Sequence, residues 1–312
     1  FITGGAGFVG SHMAARLARE GHTVTAYDNL SLGRREFLDG LIAAGACTFI
    51  EADLLDRDAV ARAMAGHDLV IHLAANSDIF EGLKDTELDL RQGTLATFNV
   101  LEAMRVHQIK QLVFSSSSVV YGEADVIPTP EDYGPLLPIS FYGASKLACE
   151  GLITAYGHNF GIQSWIYRFG NIVGPNATHG VILDFIHKLQ ADPARLEVLG
   201  DGRQAKPYLH VTDCVAGMLY GFARATDSVN VFNLAVEDVI DVATIARIVL
   251  EAMGLPDAEI AYTGGARGWP GDVPRVGLSP ARLASLGWRA SMTSRQAVER
   301  AVAEIVAQET GR

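Results

Sequence analysis

The sequence predicts an α/β protein, a doubly wound parallel sheet with a smaller α/β lobe laid over its edge. Three observations predict it. Strand-like and helix-like apolar patterns alternate through the first half of the chain, as βαβ units require. A glycine-rich turn, Gly4, Gly7 and Gly10, separates the first strand from the first helix. Beyond about residue 175 the alternation weakens without a low-complexity linker, so the second half reads as a lobe and not a tethered domain.

Phe1-Ile2 is the tail of the first strand, and Ser11–Glu20 carries apolar residues at helical spacing. Glycines between them permit a tight turn and let the backbone approach a pyrophosphate, which the helix N–H groups and dipole then hold. Phe8 and Val9 lie within that turn. The second strand, His22–Tyr27, ends on Asp28. An acidic residue about 20 residues past the glycines bonds the ribose 2′-hydroxyl of NAD and would repel the 2′-phosphate of NADP. NAD is therefore the expected cofactor and the sheet is of the Rossmann type. Asn29, Ser31 and Gly33 continue the adenosine side. The expected division is an NAD-binding unit over 1–168, regaining segments near 208–235, and a substrate lobe over 169–312.

Cys47–Glu51 is the third strand, with Asp53 and Leu54 at its carboxyl end, where nucleotides bind in open sheets. Position alone leaves Asp53 a second role, as N-cap of a helix over 58–65. The fourth strand, 68–75, ends on Leu73, Ala74 and Ala75, small enough at its end for a ligand to approach the backbone. A long helix follows over 88–107. Strand 111–114 then runs into Ser115–Ser118, four hydroxyls that are costly at a buried strand end unless partnered. A loop facing a polar ligand supplies partners; a solvated turn is the alternative. After a surface loop over 125–140, the helix from Phe141 places Tyr142 and Lys146 on one face. The sixth strand, 163–170, leads to Asn171 and Gly174-Pro175. Helices are expected over 181–190, 211–223, 242–253, 279–286 and 293–308, with a strand at 231–234. Lys206 and Tyr208 fall in a basic loop and strand, Arg267 and Asp272 in a glycine-rich loop.

A formal charge of −11 speaks against nucleic acid or an anionic membrane as partner. No apolar run reaches the roughly 18 residues of a membrane helix. The chain opens inside a strand, so further residues are expected before Phe1; no targeting segment is visible. Three dispersed cysteines read as free thiols of a reducing cytoplasm. The nine histidines show no ligand spacing, and no metal is expected.

The glycine turn, Asp28, Asp53, the serine run before Tyr121-Gly122, Tyr142-x-x-x-Lys146 and Arg168-x-x-Asn171-x-x-Gly174-Pro175 occur together and in this order. That set resembles the extended short-chain dehydrogenase/reductase family, and within it the nucleotide-sugar epimerases and dehydratases. The resemblance runs from Phe1 to about Leu286 and is most specific before residue 175. It implies an isomerase that keeps NAD bound and acts on a nucleotide-diphosphate sugar, a UDP-hexose first, inverting C4 through a transient 4-keto sugar. Tyr142 would take the hydroxyl proton. Lys146 would hold the nicotinamide ribose and, with the positive ring, lower the phenol's pKa from its usual value near 10. Ser117 would bond the reacting hydroxyl. The implied cofactor contacts are Gly4, Gly7, Phe8, Val9, Asp28, Asn29, Ser31, Gly33, Asp53, Leu54, Leu73, Ala74, Ala75 and Ser115 beside Tyr142 and Lys146. The implied substrate contacts are Ser117, Asn171, Val181, Lys206, Tyr208, Arg267 and Asp272. Relatives pair the helices corresponding to 88–107 and 142–159, which implies a homodimer.

Departures from the family pattern narrow this reading. Ser118 and Val119 stand where 4,6-dehydratases carry Asp-Glu, and no cysteine neighbours the serine as in deoxysugar reductase-epimerases. A C4 epimerase remains. Gly93 replaces an asparagine, Lys206-Pro207 an arginine-aspartate, and Trp269-Pro270 stands where an arginine is frequent. The alternatives are a reductase, dehydratase or other-carbon epimerase of the same family, and a non-catalytic NAD-binding regulator.

Overall fold

The structure, a computed structural model, describes residues 1–265 and 276–311. The first half runs β1 (Ile2–Thr3), α1 (Phe8–Arg19), β2 (Val24–Asp28), α2 (Asp39–Ala43), β3 (Cys47–Glu51), α3 (Arg57–Met64), β4 (Leu69–His72), α4 (Glu81–Lys84), α5 (Ala96–His107), β5 (Gln111–Ser117), α6 (Phe141–Phe160) and β6 (Gln163–Phe169). The second half runs β7 (Asn171–Val173), α7 (Val181–Ala191), β8 (Arg195–Val198), β9 (Ala205–Lys206), β10 (Tyr208–His210), α8 (Val211–Arg224), β11 (Val229–Leu234), β12 (Ile240–Asp241), α9 (Val242–Ala252), β13 (Glu259–Tyr262), α10 (Ala281–Ser285) and α11 (Ser294–Thr310).

Seven strands form one parallel sheet in the order β11-β6-β5-β4-β1-β2-β3. Such strands are covered on both faces, which is why β2 is buried along its whole length. One face packs on α1 and α8 through Met13, Ala14, Cys214 and Met218. The other packs on α3, α5 and α6 through Met64, Val100, Met104, Cys149 and Ile153. The winding direction reverses between β1 and β4, and that switch point opens a crevice at the strands' carboxyl ends. The second half builds its own core from α7, α9, α11 and β8, with Ile186, Leu196, Ile245, Val249 and Val302 inside. It also returns β11 to the main sheet beside β6.

The fold departs from the sequence expectation in two regions that bear on the site and the second lobe. The long helix over 88–107 is divided: Leu90–Leu95 is π-helical and α5 begins only at Ala96. A side chain at Gly93 would collide with the Ser145 hydroxyl on α6, so the turn is fitted to its neighbour. The strands β8 and β13 pair in parallel where no strand was expected. In β8, Arg195 and Glu197 face out and Leu196 and Val198 face in, a period of two too short to stand out.

Candidate active site

Gly4 adopts φ 65°, and any Cβ at Gly10 would strike the Gly4 carbonyl. The turn therefore brings bare backbone to the start of α1, as anion binding needs. Asp28 closes the adjacent strand with both carboxylate oxygens engaged. Oδ2 accepts from Ala6 N at 3.0 Å and Oδ1 from Leu30 N at 2.8 Å. Burial raises its pKa against those two N–H groups. Asn29 Oδ1 accepts from Ser31 N and braces the loop beyond.

From this turn a cleft of about 1020 Å³ extends along the sheet's carboxyl edge to α7 and β10. With one exception, every sequence-derived cofactor and substrate residue that the structure describes lines it. The exception is Asp53, which stands behind the wall. Its Oδ2 accepts from Asn29 Nδ2 at 2.9 Å and its Oδ1 from Leu55 N at 2.8 Å. It does not cap α3 either, a task done by Asp56, whose Oδ1 accepts from Ala59 N. Arg267 and Asp272 lie outside the described residues. A glycine cradle, a buried carboxylate beside it and a long cleft fit NAD in extended form.

Tyr142, Lys146 and Ser117 all line this cleft. Ser140 Oγ accepts from Gly143 N and so starts α6 one turn before Lys146. Ser117 caps the turn after β5 by accepting from Val119 N, and its hydroxyl is near enough to the Tyr142 hydroxyl to favour the phenolate. Lys146 Nζ donates to Ser115 O at 2.6 Å and stands 5.7 Å from the Tyr142 ring centre. Burial lowers the Lys146 pKa to about 8. The serine run is partnered by protein as well as cleft: Ser116 Oγ donates to Glu150 at 2.5 Å and Ser115 Oγ to His72 O.

In the protein alone the Tyr142 pKa is raised, first by burial and then by the charges of Asp89 and Cys149, with the neighbouring Ser117 hydroxyl opposing.

Residues that sequence reasoning passed over also shape the cleft. Asn76 lines it, donating to Asp78 O at 2.9 Å and to Asp89 Oδ1 at 3.2 Å. Asp89 is 2% exposed, and its Oδ2 has no hydrogen-bond partner among the described residues. In sequence it sits in the acidic stretch Asp85-Thr-Glu-Leu-Asp89, which reads as solvated. His179 and Lys188 line the far end, each with no motif to mark it.

The family model for the NAD dependent epimerase/dehydratase family matches residues 1–235. A UDP-glucose 4-epimerase of Corynebacterium glutamicum is 32% identical over 276 residues, covering 83% of this chain and 82% of its own. A crystal structure of a UDP-galactose 4-epimerase superimposes with TM-score 0.88 at 39% identity, over 99% of this chain and 98% of that one. The UDP-glucose 4-epimerase of Thermotoga maritima, solved with UDP-glucose, gives TM-score 0.89 at 27% identity, over 100% and 99%. With the glycine cradle, the cleft and these matches in agreement, the chain belongs to the NAD dependent epimerase/dehydratase family.

Proposed function

We propose that this protein is a nucleotide-sugar 4-epimerase that interconverts UDP-hexoses differing at C4. The observation that carries the reading is the meeting of Ser117, Tyr142 and Lys146 in a cleft that begins at the glycine turn and continues into the second lobe. Similarity to proteins that act on or hold UDP-sugars supports the substrate class. Bound NAD supplies a hydride acceptor and donor, and its positive ring favours the phenolate. Gly4, Gly7, Asp28 and Ser115 would hold it.

Tyr142 Oη receives the proton of the sugar's 4-hydroxyl, and Ser117, beside that phenol, shares the transfer. Lys146 sits one helical turn away, oriented by Ser115 O and Phe114, and holds the ribose beside the phenol. The 4-keto sugar then turns within the cleft to present the opposite face of C4, and Tyr142 returns the proton to the C4 oxygen. Asn171, Val181, Lys206 and Tyr208 would hold the nucleotide-diphosphate end. Lysine offers a point charge there, without arginine's bidentate fork.

Incubation with UDP-galactose and UDP-glucose, read by proton NMR, tests this: each should appear from the other with no net NADH. Inversion at another carbon, or net oxidation, would replace the C4 reading. Tyr142→Phe should lose turnover while keeping NAD, and normal turnover in that variant would end the assignment.

Three further readings accompany it. A homodimer through α5 and α6 is supported by Val106 and Phe160, apolar side chains at 58% and 42% exposure on those helices. A cytoplasmic setting is supported by Cys47, Cys149 and Cys214, all buried free thiols. The NAD-binding unit is read as 1–168 with 208–235 regained, since β11 extends its sheet, and the substrate lobe as the rest of 169–312.

A further inference from the structure

The wall of the cleft between its two halves is the loop over 174–180, joining β7 to α7. Its backbone takes positive φ three times, at Gly174 (149°), Asn176 (67°) and Gly180 (114°). Asn176 is the non-glycine member, and asparagine is among the few residues that tolerate this region. Gly174, Ala177 and His179 of this loop line the cleft, so its placement sets the width of the site.

Asn176 itself points away from the ligand space and is held on both sides. Its Nδ2 donates to Ser11 Oγ at 3.1 Å, and Ser11 is 2% exposed in the second turn of α1. Next to it, His12 Nε2 meets Pro175 O at 3.0 Å. On the other side, Asn176 N donates to Gln308 Oε1 at 3.0 Å and Gln308 Nε2 donates back to Asn176 Oδ1 at 3.2 Å. Gln308 lies one turn beyond Glu304 on α11, and Glu304 bonds His210 at the end of β10, the strand paired with β7. Helix α1 is the one whose N-terminus faces the glycine turn. The loop is therefore fastened to the cofactor's helix on one side and to the last helix of the second lobe on the other.

We propose that Asn176 is a positioning residue: a clasp of Ser11, His12 and Gln308 around the segment Pro175-Asn176 holds the substrate wall in register with the glycine turn. This rests on reading the cleft as an NAD and nucleotide-sugar site. The clasp touches no ligand, so its loss loosens the nucleotide-sugar half and leaves the glycine cradle intact. A wall free to drift weakens ligand ordering before it alters the reacting groups on α6.

The test compares wild type with Asn176→Gly and Gln308→Ala. Glycine keeps the positive φ and deletes the side-chain bonds to Ser11 and Gln308; the alanine removes the outer half only. Three quantities are measured: Kd for UDP by calorimetry, KM against kcat for UDP-galactose, and NAD content after purification. For Asn176→Gly the expected result is a rise in Kd and KM of roughly tenfold, as loss of two hydrogen bonds implies. Its kcat should stay within about twofold and its NAD content unchanged. Gln308→Ala should shift the same quantities by less, and Asn176→Asp, which keeps the Oδ1 acceptor, should recover part of the loss. Unchanged Kd and KM in Asn176→Gly would overturn the clasp, as would loss of NAD or a fall in kcat at constant KM. A wild-type protein that binds no UDP would instead overturn the reading of the cleft; one that binds UDP without turnover leaves the Kd comparison decisive.

Discussion

Lys146 keeps an ammonium at 3% exposure with Ser115 O as its hydrogen-bond acceptor and the rings of Phe114 and Tyr142 nearby. Burial brings its pKa from 10.5 to about 8. Its charge therefore leaves above about pH 8, and the support it gives the phenolate leaves with it. The pH profile of kcat should fall along an alkaline limb near that value, and Lys146→Met should lose the limb together with most of the rate. The stability sign is opposite. Between pH 8 and 10.5 the unfolded chain binds the proton that the fold gives up, so stability rises with pH across that window. At pH 7 Lys146→Met should unfold later in urea, by on the order of 1–2 kcal/mol after the orphaned Ser115 carbonyl is counted, and the gain should vanish near pH 10. An earlier midpoint at pH 7 would show that the hydrogen bond outweighs the burial of the charge. Gly93 is a second residue whose identity follows from its surroundings. The Ser145 hydroxyl occupies the space a Cβ would need, donating to Asp89 O at 2.7 Å and meeting Thr94 Oγ1 at 3.1 Å. Restoring the asparagine of the family pattern by Gly93→Asn should cost about 1–3 kcal/mol in thermal unfolding. Ser145→Ala should relieve part of that cost in the double variant, a coupling that a change confined to Gly93 could not produce.

Among elements, α6 was readable from the chain and the start of α5 was not. Ser140 caps α6 and Gly161, at φ 66°, ends it, both local signals. The π-helical turns before α5 arise from a contact between Gly93 and Ser145, and no window around residue 90 contains that information. The same holds for Asp53, whose place at a strand end reads equally well as ligand contact or cap, while its bond to Asn29 is visible only in the fold. Once folded, α5 and α6 are joined by Glu102. Its carboxylate accepts from Arg105 Nε at 2.9 Å and Nη2 at 3.0 Å, from Arg57 Nη2 at 2.9 Å and from Tyr156 on α6 at 2.7 Å. Those bonds, Arg105 first and Tyr156 second, hold its pKa down to about 2. A depressed carboxylate stabilises above its unfolded pKa, and that contribution is lost as pH falls from about 4.5 toward 2. Glu102→Gln should therefore cost on the order of 1–2 kcal/mol at pH 7 in urea unfolding, with the difference from wild type shrinking below pH 4. A gap that stays constant down to pH 3 would assign the effect to packing.

At the scale of the whole molecule, a buried polar network joins the serine strand to the far edge of the sheet and to the cleft wall. Arg168 donates to Glu150 through Nε at 3.0 Å and Nη2 at 2.7 Å, and through Nη1 to Tyr121 Oη and Glu131 O. Tyr121 donates to Asn233 on β11 at 2.7 Å, and Asn233 Nδ2 reaches Thr129 O and Ser279 O. The motif positions Tyr121 and Arg168 were legible as a pattern, but their partners Glu131 and Asn233 were not, since neither lies in a motif. Ser116, which donates to Glu150, places the network directly behind Ser117. Arg168 and Glu150 are 5% and 7% exposed, so neither charge can turn to water when the other is removed. Breaking such a pair costs about 3–5 kcal/mol, whereas replacing both members by apolar groups is often neutral. Glu150→Gln should accordingly lose about 3–5 kcal/mol in denaturant unfolding, and Glu150→Leu with Arg168→Met should recover most of it. The double variant should nonetheless turn over more slowly than wild type at saturating substrate. Ser116 loses its acceptor there, and the strand end that presents Ser117 to Tyr142 loses its backing. Recovery of stability together with full kcat would mean that the network serves only the fold; recovery of stability with a reduced kcat would show that it also holds Ser117 against the phenol.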